Sequence, residues 1–438
     1  MLQNAIADRS ARVGVIGLGY IGLPLSTAVA HAGFQTVGFE VDAAKRAAFD
    51  EGRPYVEGVK PDRLRKLVAT GRLRATAAFA ELSRCDVIIV CVPTPLTRNL
   101  TPDLSLVENA AQTIAQHLRP AQLIVLESTS YPGTTIEVVK PILQTSGLKA
   151  GVEFFLGFSP EREDPGNPSY DTVTIPKIVS GDGRAAQELI EAFYRAFVDR
   201  VVPVSSPTTA EAVKMTENIF RAVNVALVNE LKIIYAAMGV DIWEVVEAAA
   251  TKPFGYMPFY PGPGVGGHCI AVDPYYLAWK SKAYDRSARF IELAGEINLA
   301  MPRYVVDRLG DALARRASLA LNAARILILG VAYKKNIADV RESAALKIMR
   351  LLRLRGAMSD FHDPHVASIP SLHEHPEFAA HRSEPLSAER IRSYDAILLV
   401  TDHDALDYRL VADHARLIID TRNAFAQRKI SADHIVKA

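Results

Sequence analysis

The stretch Val13-Gly-Val-Ile-Gly-Leu-Gly-Tyr-Ile-Gly22 lies close to the N-terminus of the chain. Its first residues are typical of a buried strand, and the pattern Gly-x-Gly-x-x-Gly then leads into a helical pattern. Gly17 permits a tight turn, Gly19 lets a pyrophosphate approach the backbone, and Gly22 allows the helix to pack closely on the strand. The helix N-terminus would then offer a phosphate free N–H groups and the positive end of the helix dipole. The stretch predicts a Rossmann-type dinucleotide-binding fold.

Glu40 stands at the end of the next predicted strand, close to the spacing expected of an acid that binds a nucleotide ribose. A carboxylate there would accept hydrogen bonds from the ribose hydroxyls and would repel a 2′-phosphate, which favours NAD over NADP. An ordinary glycine turn is the alternative. Because the strand, the glycines, the helix and the acid follow in the expected order, we predict that the chain binds NAD.

Composition restricts the remaining possibilities. A chain of 438 residues exceeds one ordinary core and has room for two or three domains. Its 50 Lys and Arg residues balance 49 Asp and Glu residues, so no overall field favours nucleic acid or an anionic membrane as a partner. Three cysteines without a Cys-x-x-Cys motif argue against a disulfide framework and a metal site. With no leader segment and no apolar run long enough for a bilayer, we expect a cytoplasmic protein.

The order of predicted elements indicates an α/β protein in which a long central helix and a helical middle domain join two Rossmann-like doubly wound domains. Strands and helices alternate, in parallel organisation, from Arg12 to about Pro203, and a long helix follows from Thr208 to about Met238. A second α/β series begins at Arg325, with a helix predicted over Arg341 to Arg355. We expect a NAD-binding domain over residues 1–205, a central helical domain over 206–320 and a second nucleotide-binding domain over 321–438.

A glycine-rich loop is predicted from Pro253 to Pro274, and it contains Gly262-Pro-Gly-Val-Gly-Gly-His-Cys-Ile-Ala-Val-Asp273. The four glycines of this quoted segment would let the backbone take positive φ and approach a ligand closely, which a cysteine packed in a strand does not need. Cys269 is therefore a candidate nucleophile, although a free loop cysteine often has no role and the aspartate that ends the segment could be a loop cap. Cys85 and Cys91 belong to or border an apolar strand and are interpreted as small buried hydrophobes.

Lys214 and Asn218 stand four residues apart on the long helix and therefore share a face. Their neighbours are largely apolar, so we expect them to line a site rather than a solvated helix face. Lys214 would stabilise an alkoxide or a thioester oxyanion. Thr129 and Glu161 follow predicted strands, where open parallel sheets bind ligands, although they could also be a turn hydroxyl and a helix cap.

Lys334 and Arg422 occupy the corresponding edge of the second α/β series. Cations at strand ends can neutralise a diphosphate, so both are candidates to bind a second nucleotide, although either could be a surface charge. A thiol and a hydride acceptor in one chain together suggest oxidation of a substrate through a thioester.

Taken in order, the motifs resemble those of the nucleotide-sugar 6-dehydrogenase family, which includes UDP-glucose and GDP-mannose dehydrogenases. The likeness covers nearly the whole chain and includes Gly17-Leu-Gly-Tyr-Ile-Gly-Leu-Pro24, Val92-Pro-Thr-Pro95, Thr134 with Thr135, Glu211 to Asn218, Gly266-Gly-His-Cys269 and Gly330 to Ser343. Within the family, the segments Ser159 to Asn167 and Pro261 to Ile270 are similar to the branch that oxidises UDP-N-acetylhexosamines, especially UDP-N-acetyl-D-glucosamine.

The resemblance implies a four-electron oxidation of the sugar C6 hydroxyl to a carboxylate, with two NAD+ used in succession. Cys269 matches the family nucleophile, which captures the intermediate aldehyde as a thiohemiacetal. A second hydride transfer then gives a thioester, which water hydrolyses. The resemblance also implies a UDP-sugar substrate, a UDP-binding C-terminal domain, and a homodimer or higher homo-oligomer formed through the long helix.

The resemblance assigns roles to individual positions of this sequence. Lys214 and Asn218 match residues that stabilise oxygen charge, while Asp273 and Thr129 match residues that position water. The positions matching catalytic residues are Cys269, Lys214, Asn218, Asp273, Glu161 and Thr129, with Glu161 a candidate acid/base. Those matching NAD contacts are Gly17, Gly19, Tyr20, Ile21, Gly22, Glu40, Pro93, Thr94 and Thr129. Those matching substrate contacts are Glu161, Arg162, Lys214, Asn218, Tyr260, Gly264, Gly266, Lys334 and Arg422.

Several alternatives stay open. The substrate could be UDP-glucose, UDP-N-acetylmannosamine or UDP-N-acetylgalactosamine rather than the glucosamine derivative. A two-electron β-hydroxyacid dehydrogenase also combines a Rossmann domain with Lys and Asn on a long helix, but it explains neither Cys269 nor the second α/β domain. A non-catalytic nucleotide sensor would not need Cys269, Lys214, Asn218 and Asp273 together.

Overall fold

The computed structural model describes residues 1–438 except 57, 98, 165, 166, 168 and 373, and the side chains of residues 268–271 lie outside the description. The chain divides into two compact units. The first unit comprises residues 1–217 and 275–287, and the second unit comprises residues 218–274 and 288–438. Each unit is built around one sheet whose strands are mostly or entirely parallel.

The first unit contains an eight-stranded sheet in the order β3-β2-β1-β4-β5-β6-β7-β8. Strands β1 to β6 are mutually parallel, so their carboxyl ends share one edge. The strands are β1 Arg12–Ile16, β2 Gln35–Phe39, β3 Leu73–Thr76, β4 Val87–Val90, β5 Leu123–Leu126, β6 Phe155–Phe158, β7 Lys177–Gly181 and β8 Val201–Pro203.

Helices and strands alternate through this unit. The helices are α1 Leu2–Ala7, α2 Gly22–His31, α3 Ala43–Asp50, α4 Pro61–Ala69, α5 Ser105–His117, α6 Lys140–Gln144 and α7 Arg184–Arg195, with a 3-10 segment Phe79–Arg84 and a π-helical turn Thr135–Val139. Apolar residues of α1, α2 and α7 pack on one face of strands β1, β4, β5 and β7 to form the core. Strands that are covered in this way consist of continuous apolar residues, which is why the sequence predicts them.

Helix α8 Pro207–Ala237 begins in the first unit and continues in the second. The second unit holds a parallel five-stranded sheet in the order β10-β9-β11-β12-β13. Its strands are β9 Arg325–Leu329, β10 Met358–His362, β11 Ala396–Leu399, β12 Ile418–Asp420 and β13 Ile435–Lys437. The remaining helices of the chain are α9 Ile242–Ala249, α10 His268–Ser281, α11 Arg289–Ala317, α12 Ala344–Leu354, α13 Ala388–Arg392, α14 Tyr408–His414 and α15 Ala424–Gln427, with 3-10 segments Lys282–Tyr284, Leu321–Ala323 and Pro376–Phe378. Residues 275–287 of this series belong to the first unit.

Alternate residues of the second sheet enter two different cores. Ile326 and Ile328 of β9 pack with α11 and α12, whereas Leu327 and Leu329 pack with helices α13 to α15. Helices therefore cover both faces, as in a doubly wound fold. This confirms the predicted fold class: two Rossmann-like domains with a helical region between them in sequence. None of the helices in the described part of the chain is long and apolar enough to cross a membrane.

Some predicted elements were wrong in detail. Strand β7 runs antiparallel to β6, so the first sheet is not parallel throughout. Strands β3, β8 and β13, which are only three or four residues long, were not predicted from the sequence. Helix α12 starts at Ala344 rather than Arg341, since the Ser343 hydroxyl accepts a hydrogen bond from Ala345 N at 3.1 Å and caps the helix there.

The predicted loop from Pro253 to Pro274 is also shorter than expected. Helix α10 begins at His268 and runs through Pro274, so positions 269 and 273 are helical. A proline lacks the N–H for a helical hydrogen bond and therefore looked like a boundary in the sequence. Of the four glycines expected to take positive φ, Gly264 (131°) and Gly267 (81°) do so. Gly262 and Gly266 instead allow close approach of other residues of the second unit.

The glycine turn between β1 and α2 brings two stretches of backbone into contact. Gly17 has φ of 88°, and its N–H donates to Phe39 O at 2.8 Å, which ties the turn to β2. A Cβ on Gly22 would lie 1.8 Å from Gly17 O, whereas a Cβ on Gly19 would meet nothing within 4 Å. Gly22 therefore lets α2 start against β1, and Gly19 leaves open space above the turn.

We expect Gly22→Ala and Gly19→Ala to differ in stability. The new methyl at position 22 collides with backbone and should lower the free energy of unfolding by about 1–3 kcal/mol or more. The methyl at position 19 enters free space and should change it by less than about 0.5 kcal/mol. Urea-induced unfolding followed by circular dichroism measures both. Equal unfolding midpoints for the two variants would contradict the packing role of Gly22.

Candidate active site

Glu40 follows β2 at the edge where the glycine turn lies. Its carboxylate accepts hydrogen bonds from Leu18 N and from Asp42 N, both at 3.1 Å, and Lys45 Nζ is 4.0 Å away. The side chain is largely buried, with 7% of the residue exposed. The acid is thus held beside the turn, in the position that a ribose-binding carboxylate takes in a Rossmann fold.

The other predicted cofactor residues line the same edge of the first sheet. Tyr20 and Ile21 complete the glycine turn, and Tyr20 is 42% exposed. The turn after β4, which contains Pro93 and Thr94, is held from two sides: Ser128 Oγ accepts from Val92 N at 3.0 Å, and Tyr276 OH donates to Thr94 O at 3.0 Å. The edge has the architecture that Rossmann domains use for a dinucleotide.

A buried ionic cluster lies at the carboxyl ends of β5 and β6. Lys177 Nζ donates to Glu127 at 2.8 Å and to Glu161 at 3.3 Å, and Tyr194 OH donates to Glu127. Of these, Glu161 is the most exposed, at 8%. We call these four residues the Lys177 cluster. Taking three charges from water is costly unless each is paired, so the cluster depends on its geometry.

Two neighbouring carboxyl groups, Glu161 of the cluster and Glu163 beside it, differ in their pKa values. Burial alone would raise the pKa of Glu161, but attraction to Lys177 and hydrogen bonds from the N–H groups of Glu163 and Arg162 hold it below its usual range. Burial, followed by repulsion from Glu161, raises the pKa of Glu163 to about 7. Glu161 is therefore ionised at neutral pH, while Glu163 is poised to exchange a proton.

Lys214 lies on the first-unit part of α8 and reaches this cluster. It is 7% exposed, and its ammonium donates to the carbonyl oxygen of Glu161. Thr129 is partly exposed just after β5. The Arg162 guanidinium, predicted to contact substrate, forms a two-point ion pair with Glu217 and donates to Pro176 O at 2.6 Å. Its charge is thus satisfied within the protein.

In the second unit, Asn218 and Asp273 are brought together. Asn218 is 4% exposed and Asp273 2%, and the Asn218 amide donates to the Asp273 carboxylate. Cys269, whose side chain lies outside the described atoms, stands four residues before Asp273 in α10, hence one turn away. Positions 269 and 273 thus lie on the same side of one helix.

The loop before α10 is anchored to the C-terminal Rossmann domain. A Cβ on Gly262 would lie 2.7 Å from Arg422 Nη1, and one on Gly266 would lie 2.8 Å from Tyr333 Cβ. Arg422 follows β12, and its Nε donates to Val400 O at 2.9 Å. Lys334 follows β9 and is half-buried. Gly264, Gly266 and Arg422 therefore belong to one region of the second unit.

Tyr260 lies at the start of this loop. Its ring stacks on Trp243 of α9, with centroids 5.9 Å apart and an interplanar angle of 16°, and the residue is 44% exposed. An exposed aromatic face fixed from behind is suited to contact a flat or apolar ligand group.

Several residues that shape these sites were not predicted. Lys177 begins the buried strand β7, and a lone lysine in a buried strand requires a counter-charge, so that signal was available in the sequence. His403 Nδ1 accepts from Asn336 N at 2.9 Å, and its Nε2 lies 3.1 Å from Asp363. Asp363 also accepts from Val331 N at 2.7 Å. The histidine and aspartate thus hold the loop that carries Lys334, and nothing local in the sequence indicates this pairing.

The two remaining cysteines are buried, as predicted. Burial raises the pKa of Cys85 to about 12 and holds that of Cys91 well above its usual range. Neither thiol is a nucleophile at neutral pH. The described residues contain no group of three or more His, Cys, Asp and Glu side chains arranged to hold a metal ion.

A glycine turn with a buried acid beside it, at the carboxyl edge of a parallel sheet, defines a Rossmann-type dinucleotide-binding domain. Family comparison gives the class more closely. Three models of the UDP-glucose/GDP-mannose dehydrogenase family match the chain: the NAD binding domain over residues 11–198, the central domain over 208–300 and the UDP binding domain over 327–427. The chain belongs to the UDP-glucose/GDP-mannose dehydrogenase family, and NAD is its cofactor.

Curated relatives cover almost the whole chain. The UDP-N-acetyl-D-glucosamine 6-dehydrogenase of Pseudomonas aeruginosa is 36% identical over 398 residues, which are 90% of this chain and 91% of that protein. The NDP-N-acetyl-D-galactosaminuronic acid dehydrogenase of Ralstonia nicotianae is 35% identical over 98% of this chain and 100% of its own length. Among solved structures, the UDP-D-ManNAc dehydrogenase of Pyrococcus horikoshii is 33% identical, with a TM-score of 0.87 over 97% of this chain and 98% of that chain.

We expect Lys177→Met to destabilise the protein. Removing the ammonium leaves the buried Glu127 without a counter-charge and Glu161 with Lys214 alone, which should cost about 3–5 kcal/mol at pH 8. In the variant, these carboxyl groups would have a higher pKa in the folded protein than in the unfolded chain. The loss of unfolding free energy should therefore become smaller as the pH falls towards 5. Urea unfolding at several pH values measures this. Lys177→Arg should recover much of the stability, and exposed Lys149→Met is the matched control. A loss that does not depend on pH would contradict the electrostatic explanation.

Proposed function

We propose that the protein oxidises C6 of a UDP-N-acetylhexosamine, with UDP-N-acetyl-D-glucosamine preferred, to the uronic acid through two successive hydride transfers to NAD+. The proposal assigns NAD binding to residues 1–205, the catalytic loop and dimer contacts to 206–320, and UDP binding to 321–438. The observation that carries it is the Asn218–Asp273 pair one helical turn from Cys269, in a chain with both nucleotide-binding domains.

Cys269 is proposed as the nucleophile. It stands in the first turn of a 14-residue helix, where unpaired backbone N–H groups and the helix dipole favour an anion such as a thiolate. The thiolate adds to the C6 aldehyde from the first oxidation, and hydride loss from the adduct to the second NAD+ gives a thioester. Water then attacks the thioester carbonyl, releasing the carboxylate and regenerating the thiol.

Several charged and polar groups are proposed to serve this chemistry. Lys214 and Asn218 would stabilise the oxygen charge that develops at C6. Asp273 and Thr129 would position the hydrolytic water, and Glu161 would accept its proton. The lowered pKa of Glu161 keeps this carboxylate ionised before each turnover.

The substrate assignment rests on the residues proposed to bind the diphosphate and on those proposed to contact the sugar. Lys334 and Arg422 are proposed to neutralise the diphosphate, because both follow strands at the ligand-binding edge of the second sheet. Tyr260, Gly264 and Gly266 are proposed to border the sugar. The curated relatives named for N-acetylated sugars support a 2-acetamido substrate, and the resemblance of segments 159–167 and 261–270 favours the gluco epimer.

We also propose a homodimer or a higher homo-oligomer formed through α8. Phe220, Leu227 and Ile234 follow one another at seven-residue intervals and are 49%, 51% and 47% exposed. Apolar residues at that spacing form a stripe along one side of a helix. Burial of the stripe against a second copy would remove this surface from water. Light scattering of the purified protein gives the molar mass that checks it.

Glu40 is expected to set the preference for NAD. In Glu40→Gln the hydrogen bonds to the ribose weaken and the repulsion of a 2′-phosphate disappears. The KM for NAD+ should rise, and the advantage of NAD+ over NADP+ in kcat/KM should narrow by about tenfold or more. Equal use of both cofactors by the unaltered protein would refute a role for this acid in cofactor choice.

Cys269→Ser should nearly abolish formation of the uronic acid while leaving NAD+ binding almost unchanged. The serine hydroxyl is far less acidic than a thiol, so the aldehyde is not captured efficiently. NADH absorbance and cofactor titration measure the two effects. In Glu161→Gln, slow hydrolysis should let a sugar adduct accumulate on Cys269, visible by mass spectrometry. Complete turnover by Cys269→Ala would rule out the covalent route.

The proposed function is tested with a panel of UDP-sugars and NAD+. Two NADH should form per sugar consumed, and kcat/KM for UDP-N-acetyl-D-glucosamine should exceed that for UDP-glucose by about ten- to a hundredfold. A pocket built to bind an acetamido group leaves polar groups unpaired when glucose is bound. One NADH per sugar would contradict the four-electron reaction. A higher kcat/KM for UDP-glucose would overturn the substrate assignment alone.

A further inference from the structure

A cavity lies within the second unit, between α8, α9, α11 and the end of β13. Its volume is about 250 Å³, and its lining includes Lys232, Trp243, Tyr304, Arg308 and Lys437. At about 30 Å³ per water molecule, this space corresponds to roughly eight waters. We call it the Lys232 cavity. It is therefore large enough for a small polar ligand.

Two buried nitrogen atoms of the cavity, Lys232 Nζ and Arg308 Nε, have no hydrogen-bond partner among the described residues. Lys232 as a whole is 4% exposed. The Lys232 ammonium lies 5.6 Å from the centroid of the Tyr304 ring, so an aromatic face offers it partial compensation. A buried ammonium without an acceptor is costly, and such groups normally have one.

The acids near the cavity are already engaged. Asp241, which also lines it, forms an ion pair with Lys437 and accepts from Trp243 N at 3.0 Å as the N-cap of α9. Asp420, the acid whose field reaches Lys232, accepts from Arg422 N at 2.9 Å and from Phe425 N at 3.0 Å. Neither carboxylate supplies a hydrogen bond to Lys232.

The local field favours an added anion. Burial, and then repulsion from Arg422 and Arg308, lowers the pKa of Lys232 to about 7, with partial compensation by Asp420. An oxyanion in the cavity would accept hydrogen bonds from Lys232 and Arg308 together and restore the charged ammonium. Aromatic walls at Trp243 and Tyr304 leave room for a small organic substituent beside it.

We propose that the Lys232 cavity binds a phosphate group, as inorganic phosphate or as the phosphate of a small metabolite. None of the proposed UDP-sugar contacts is among the lining residues of the cavity, although Tyr260 stacks on Trp243, which forms one wall. The charge of Lys232 interacts with that of Arg422. A phosphate bound in the cavity would therefore change the electrostatic potential at the proposed diphosphate position. The proposal does not require the proposed sugar specificity to hold.

The test is calorimetric titration of the full-length protein with inorganic phosphate and, separately, with glycerol 3-phosphate, in the absence of NAD+ and UDP-sugar and at constant ionic strength. Saturable binding is expected, and Lys232→Met and Arg308→Met should each weaken it at least about tenfold. Arg315→Met, which removes an exposed charge from the same helix, is the matched control and should bind as the unaltered protein does. Tighter binding of glycerol 3-phosphate than of phosphate would identify an organic ligand as the better occupant.

Thermal unfolding separates lost binding from lost folding. Removing an unpaired buried cation relieves a desolvation penalty, so Lys232→Met should be at least as stable as the unaltered protein without phosphate. Added phosphate should raise the unfolding temperature of the unaltered protein but not of the variant. Unchanged phosphate affinity in Lys232→Met would overturn the proposal. A phosphate affinity that keeps falling in proportion to the UDP concentration, without reaching a plateau, would also overturn it, because phosphate and UDP would then compete for one site.

Discussion

The ion pairs of Lys177 hold together three strand ends of the first unit. One ammonium on β7 holds Glu127 after β5 and Glu161 after β6, and Glu161 in turn accepts from Lys214 on α8 through its carbonyl oxygen. The candidate acid/base is thereby fixed by buried contacts rather than by a mobile loop. Because unpaired buried charges are costly, the members of the cluster have to keep this arrangement together.

The Lys177 cluster and the Lys232 cavity show two ways of burying a lysine. Lys177 is 2% exposed and has two carboxylate partners, and their attraction raises its pKa despite burial. Lys232 is 4% exposed, has like charges nearby, and has its pKa lowered. The first arrangement fixes protein groups in place. In the second arrangement the lysine can still bind an anionic ligand, which is why the two sites have different expected roles.

The chemistry proposed for the chain uses helices and strand ends in complementary ways. Strand ends of the two sheets present Glu40, Glu161 and Arg422 at edges where parallel sheets bind ligands. Helix α10 places positions 269 and 273 one turn apart, and Asn218 of α8 holds Asp273. Rigid elements therefore carry the groups for which small displacements would matter most in covalent catalysis.

The sequence by itself determined the fold class, the order of the longer elements, the glycine turn and the burial of Cys85 and Cys91, because periodicity and glycine spacing act over a few neighbouring residues. Only the tertiary structure decided the rest. The pairing of Lys177 with Glu127 joins residues 50 apart, and that of Asn218 with Asp273 joins residues 55 apart. Helix α10 continues through Pro274, and β7 reverses beside β6. Such features depend on which distant segments meet and on the cost of leaving buried polar groups unpaired, and no local pattern encodes either.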